Sequence, residues 1–125
     1  MMRYSFNTAL PFLPIELINK NKAIKAEALL DSGSTVNVLP YSLGLTLGFD
    51  WNLAKSANHL TGSLSGITIR GVICHCSING FLPVRLAFAW ADTNNVRLIL
   101  GQQNFFALFD ICFSKTDTFF ELTSR

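Results

Sequence analysis

At 125 residues the chain is long enough to bury one real core and too short for two, so a single domain over 1–125 is expected. Half of the residues are hydrophobic and 14% are charged, so either the core is large for its size or another chain covers part of the apolar surface. The formal net charge of +2 comes from scattered Lys and Arg, and the one group, Lys20, Lys22 and Lys25, is interleaved with Asn19 and Asn21, which reads as a solvated turn and argues against nucleic acid as a partner. No run approaches the roughly 20 apolar residues of a membrane helix, since Leu98-Ile99-Leu100 soon meets Gly101-Gln102-Gln103-Asn104. Arg3 and Asn7 interrupt any signal-peptide core, and three cysteines do not make a secreted disulfide scaffold. A cytoplasmic address is therefore expected.

In chain order, Phe12 to Ile18 reads as an extended segment, with Pro14 implying an edge position or a strand start. Asn19-Lys20-Asn21 turns the chain, and Ala23 to Leu30 follows as a strand, alternating at Ile24, Ala26 and Ala28 before becoming wholly apolar. After the Asp31 loop, Val36-Asn37-Val38-Leu39 is another strand ended by Pro40, and Tyr41 to Gly48 makes about two turns of helix weakened by Gly44 and Gly48. Trp51 and Leu53 either pack on the core or line a groove, with packing favoured for a single Trp. Leu60 to Gly71, rich in Gly, Ser and Thr among β-formers, reads as a mobile hairpin.

Val72 to Ile78, Asn79-Gly80 and Phe81 to Ala89 form the clearest hairpin, because Asn-Gly suits a two-residue type I′ turn. Asp92 to Asn95 is a polar loop and Val96 to Leu100 a buried strand ending at Gly101. Gln102 to Leu108 reads as a short helix, with Phe109 to Phe113 and Phe119 to Leu122 as closing strands. The fold class is thus mostly β with one or two short helices.

The candidate chemistry lies where Ala28-Leu29-Leu30 stops at Asp31-Ser32-Gly33-Ser34-Thr35. Asp-Ser-Gly by itself is ordinary turn chemistry. A carboxyl at the inner end of an apolar strand is costly unless hydrogen-bonded or used, and hydroxyls, amide N–H groups and a glycine stand beside it. Cys74-His75-Cys76 is a weak metal pattern: strand alternation sends the two thiols to one face and His75 to the other, and no second ligand pair follows, so no metal or other cofactor is expected. Cys112, between Ile111 and Phe113, reads as a buried thiol. Gly62 and Gly66 lack the Gly-Lys-Ser/Thr of a phosphate loop.

Leu30-Asp31-Ser32-Gly33-Ser34, followed far downstream by Leu98-Ile99-Leu100-Gly101, resembles the retropepsin-type aspartic proteases. Ile99-Leu100-Gly101-Gln102-Gln103-Asn104-Phe105-Phe106 is similar to the closing motif of single-domain bacterial members, although Asn104 stands where relatives often carry Gly or Asp and no Arg follows Gly101. The resemblance implies an acid-protease fold, a closed β-barrel or sandwich with one catalytic Asp loop per chain. It also implies roles: Asp31 as the catalytic aspartate, Ser32 bridging to a partner loop, Gly33 permitting the turn, and Ser34 donating to the outer carboxylate oxygen. Leu100 and Gly101 become the element the loop threads against, and Gly62, Ser63, Leu64, Ser65 and Gly66 a substrate-covering flap.

Asp31 is the only Asp followed by Ser or Thr and then Gly. Peptide hydrolysis of this type needs two carboxyls sharing a proton, so one chain holds half a site and a two-fold homodimer completes it. Phe119-Phe120-Glu121-Leu122 is expected to interleave with the mate. The implied activity is an aspartic endopeptidase acting on extended polypeptides; the alternative is a retropepsin-like domain that dimerises and binds peptide without cutting it.

Overall fold

The computed structural model describes residues 1–5, 10–56, 66–114 and 119–125. The strands are β1 (Met2–Ser5), β2 (Phe12–Asn19), β3 (Lys22–Leu30), β4 (Asn37–Leu39), β5 (Lys55–Ser56), β6 (Ile69–Ser77), β7 (Val84–Ala91), β8 (Ile99–Leu100), β9 (Phe109–Ser114) and β10 (Phe119–Ser124), with one helix, α1 (Tyr41–Thr46), after β4. β2-β3-β8-β4-β7-β6 run side by side, and β2 pairs again with β6 through Glu16↔Ser77, Leu17↔Cys76 and Ile18↔His75, which closes the sheet into a barrel. A second sheet, in the order β1-β10-β9, is built from both ends of the chain.

Period-two alternation decides which side chains fill the barrel. Leu13, Ile15 and Leu17 of β2, Ala28 and Leu30 of β3, Val72, Cys74 and Cys76 of β6, and Leu86, Phe88 and Trp90 of β7 are all buried in one cluster. Pro14 is tolerated because that part of β2 pairs only with β3 among the described residues, opposite Glu27, and β6 joins at Glu16. The β2–β3 turn is two residues, Lys20-Asn21, with Lys20 at φ 56°.

Trp90 organises one end of the barrel. It is fully buried, donates from Nε1 to the Tyr41 carbonyl (3.1 Å), stacks on Tyr41 at 5.7 Å and meets Trp51 edge-on at 5.0 Å. Trp51 is half-buried in this cluster, as expected, with the Arg70 guanidinium 5.0 Å above its ring. Gly44, a weak point for helix propensity, is required here: a Cβ would lie 2.1 Å from Trp90 Nε1. Pro40 lacks a capping side chain, and Asn94 supplies one from the 92–95 loop, its Oδ1 accepting from the Ser42 N–H at 2.8 Å.

Three expectations are corrected. Asn79-Gly80 do not make a two-residue hairpin, because the β6–β7 ladder ends at Cys76↔Val84. They sit instead in a turn closed by Phe81 N–H to the Ile78 carbonyl (3.0 Å), in which Gly80 at φ 90° has positive φ and Asn79 does not, a type II pattern whose extra residues lead through Phe81–Pro83 to β7. Gln102 to Leu108 is a succession of turns, not a helix, because Asn104 at φ 76° leaves the right-handed region. Cys112 is exposed, because alternation along β9 turns it away from the core while Phe109 points in. Phe120 and Leu122 have no exposed surface in the single chain, where β10 lies between β1 and β9.

The terminal sheet docks on the barrel through aromatic rings. Phe109 stacks on Phe105 at 4.9 Å and meets Phe81 edge-on at 5.2 Å, and within the sheet Tyr4 stacks on its cross-strand partner Phe120 at 5.2 Å. On its outer face Arg3 pairs with Glu121 and Arg125 with Asp110, each at 2.8 Å. No helix among the described residues is long and apolar enough to cross a membrane.

Candidate active site

Asp31 is the first residue after β3, and its backbone is tied down on both sides. Its N–H donates to the Leu100 carbonyl (3.1 Å), continuing the parallel β3–β8 pairing, and its carbonyl accepts from the Ser34 N–H (3.1 Å), closing a turn. Its carboxylate Oδ1 accepts from the Gly33 N–H at 2.9 Å, and the side chain remains partly open to solvent. A Cβ on Gly33 would lie 3.2 Å from that oxygen, so glycine here keeps space beside the carboxylate.

The loop then passes over Gly101 with no room for any side chain. A Cβ there would lie 2.4 Å from the Val36 carbonyl oxygen and 2.7 Å from that of Ser34. Successive amides take up the loop's carbonyls: Gln102 N–H donates to Ser34 (2.9 Å) and Gln103 N–H to Thr35 (2.8 Å), while the Gln102 side-chain amide donates to the Ser32 carbonyl. These bonds spare the loop's carbonyls the cost of standing unpaired.

Asn37, 1% exposed, is the polar anchor beneath the loop. Its Oδ1 accepts from the Gly101 N–H (2.8 Å) and its Nδ2 donates to the Ala87 carbonyl (3.0 Å), so one side chain joins β4, β7 and the glycine. Asn104 completes the arrangement by accepting from the Ala87 N–H at 2.9 Å. Where the β4–β7 ladder ends, two asparagine side chains continue it. Next to them Val36, Ile69, Ala87, Ala89, Gln103 and Asn104 help to line an open cleft of about 330 Å³.

Two solved structures share this architecture. A retropepsin-like aspartic protease from Rickettsia conorii superposes with a TM-score of 0.76 at 14% identity, covering 97% of this chain and 88% of that one. EIAV protease, in complex with the inhibitor HBY-793, superposes with a TM-score of 0.60 at 16% identity, covering 79% of this chain and 86% of that one. The chain has the retropepsin fold. No protein-family model and no curated protein matches the sequence, so the likeness is carried by structure.

Within the retropepsin fold the expected residues fall as follows. Asp31, Ser32, Gly33, Ser34, Leu100 and Gly101 are brought together, and Leu100 and Gly101 form the element against which the loop threads. The Ser34 hydroxyl does not reach the carboxylate: Oγ donates to the Val36 carbonyl at 2.7 Å, which tightens the loop and leaves Gly33 as the donor to Asp31 Oδ1. Ser32 is exposed at the turn. Gly62, Ser63, Leu64 and Ser65 lie outside the described residues. Gly66 is described, at φ 84° with open space around its Cβ position. On either side of that segment β5 and β6 pair antiparallel, Lys55↔Gly71 and Ser56↔Arg70.

Cys74 and Cys76 face the barrel interior and His75 faces outwards, as alternation requires. Burial pushes both thiols up to about 12, and for Cys76 the neighbouring Cys74 adds to the shift. Residues absent from the sequence-based site are Asn37, Gln102 and Asn104. The one available signal was Asn37 itself, a lone amide in the apolar run Val36 to Leu39.

Proposed function

We propose that the whole chain is one retropepsin-like domain and that it acts, as a homodimer, as an aspartic endopeptidase with Asp31 as the catalytic residue. The observation that carries this reading is the Asp31 carboxylate: partly open to solvent, on a loop whose backbone is held by Leu100, Gly101, Gln102 and Gln103. Such anchoring suits a group that must act without reorganising. One chain supplies one such carboxylate, and peptide hydrolysis without a nucleophilic side chain needs two, so the second comes from the mate.

With one proton shared between the two Asp31 side chains, the ionised carboxylate takes a proton from water as the water oxygen attacks the peptide carbonyl carbon, and the protonated carboxyl gives its proton to the carbonyl oxygen. The resulting gem-diol collapses as the C–N bond breaks. The nitrogen receives the dyad's proton while a gem-diol hydroxyl gives its own back to the ionised carboxylate, so the products are an acid and an amine and the dyad again holds one proton. An extended polypeptide is the substrate, bound as an added strand covered by the segment that contains Gly62 to Gly66. The cleft beside Val36 and Gln103 offers an apolar floor with an amide rim to one of its side chains.

The deciding experiment is digestion of a peptide library from about pH 4 to about pH 7 by the wild type and by Asp31→Asn, which keeps the shape of the side chain and removes the base. Cleavage by the wild type, bell-shaped in pH and abolished in Asp31→Asn with fold retained, is the expected result. Retained activity in Asp31→Asn places the chemistry elsewhere. Peptide binding without cleavage by the wild type makes the chain a binding domain.

A further inference from the structure

Phe12, Leu29 and Ile99 lie side by side on three neighbouring strands, through the pairs Phe12↔Leu29 and Leu29↔Ile99. All three are half-buried and none belongs to either cluster of core side chains, because alternation turns them to the face opposite Leu13, Ala28, Leu30 and Leu100. On β3 this apolar band lies two residues before Asp31. Its other end carries a charge. Arg97, two residues before Ile99, shares that residue's face, since Leu98 and Leu100 are buried and the Leu98 carbonyl already accepts from the Leu29 N–H at 2.9 Å. Arg97 is exposed, and its guanidinium stands 5.8 Å from the centre of the Phe12 ring. Among the described residues it forms no hydrogen bond or ion pair: the carboxylates paired with arginine are Glu121 and Asp110, in the terminal sheet, and Glu27, on the same face of β3, is not one of them.

We propose that Arg97 is a specificity residue of this site and selects substrates that carry a glutamate or aspartate within two residues of the bond cut. This rests on the endopeptidase reading above and names its substrate class. From the Leu29↔Ile99 pair, Arg97 lies two strand positions to one side and Asp31 two to the other, a backbone separation of about 13 Å. An extended peptide advances about 3.3 Å per residue, and the long side chains of arginine and glutamate cover the remainder. With the cleaved bond at Asp31, the substrate residue that meets the guanidinium is therefore one of the two nearest that bond on one side. The Phe12 ring beneath the guanidinium offers it no acceptor, so its N–H donors are open to a carboxylate, which a guanidinium binds bidentately. The apolar band beside it keeps water from one side of such a pair and receives the aliphatic stem of the acidic residue. Glutamine in the same place keeps the shape and loses the charge, so the contrast between Glu and Gln isolates the guanidinium.

The test measures kcat/KM on matched peptides that differ only by Glu, Gln or Lys at each position within two residues of the cleaved bond. The proteins are wild type, Arg97→Gln, Arg97→Glu and, as a control for overall charge, Arg85→Gln on β7, where Arg85 is exposed opposite His75; far-UV circular dichroism checks the fold. At one position wild type should favour Glu over Gln about tenfold, and Arg97→Gln should bring that ratio to about one. Arg97→Glu should favour Lys there, and Arg85→Gln should keep the wild-type ratio. Cleavage by wild type with no preference for Glu, or a preference that survives in Arg97→Gln, overturns the assignment and leaves the endopeptidase reading intact. A ratio that falls as far in Arg85→Gln does the same, because it traces the preference to overall charge. A wild type that cuts nothing, yet binds the Glu peptides more tightly than the Gln ones by fluorescence anisotropy and loses the difference in Arg97→Gln, supports the role of Arg97 and removes the endopeptidase reading. Neither cleavage nor that difference removes both.

Discussion

The Asp31 loop and the terminal sheet are both held against the same core, by opposite means. Around the loop single atoms matter: carbonyls of Ser34 and Val36 lie where any side chain on Gly101 would stand, and each amide from 101 to 103 has one acceptor. The terminal sheet is held by area, with Phe109, Phe120 and Leu122 buried among rings that can shift a little without losing contact. Steric and hydrogen-bond constraints fail abruptly, whereas burial fails in proportion to the surface lost. A site needs the first kind of constraint, and a sheet that covers a core can use the second.

The sharpest way to break that contrast is Gly101→Ala. The added methyl meets backbone on both sides, so the loop must move, and a loss of about 4 kcal/mol or more in urea unfolding is expected. A wild-type midpoint for this variant would mean that the loop is not clamped. Leu122→Ala should cost about 3 kcal/mol, but Leu122→Met less than about 1.5, because a core accepts a volume-conserving exchange. Equal costs for the two would show that the terminal sheet is as exacting as the loop.

Asn37→Leu comes next, at about 2 kcal/mol, since it leaves the Gly101 N–H and the Ala87 carbonyl without their partner while keeping the volume. Its effect on peptide cleavage should exceed its effect on stability, the reverse of Leu122→Ala; parallel losses would argue that Asn37 only fills space. The smallest effect separates the cysteines. At pH 8 in the native state a thiol reagent should modify Cys112 at once and Cys74 and Cys76 only on unfolding, because the latter are buried and their pKa values are raised to about 12. The sign of the linked pH dependence follows: between about 9 and about 12 the unfolded chain has lost thiol protons that the folded chain keeps, so stability falls as pH rises. Replacing Cys74 and Cys76 by Ala should flatten that decline, and a decline of unchanged slope would assign it to other groups.

Local signals in the sequence were enough for the alternation of β2, β3 and β6, the loop beginning at Asp31, the glycine after Leu100 and the aromatic closing strands, because each depends on side-chain period or on a turn residue acting within a few positions. The retropepsin resemblance rested on Asp31-Ser32-Gly33 and Ile99-Leu100-Gly101, and the fold bears it out. Other features were settled only by tertiary contact. Whether Gln102 to Leu108 would coil into a helix was decided at Asn104, whose backbone stands at φ 76° where its side chain meets the Ala87 N–H of β7, far away in sequence. Whether Ser34 would serve the carboxylate or the Val36 carbonyl depended on how tightly the loop closed over Gly101. The apolar pattern of Phe120 and Leu122 does not name what covers it, and within the chain they are buried where β10 pairs with β1, a strand unmarked in the sequence. Periodicity states which face of a strand is apolar; only the folded chain states what covers it.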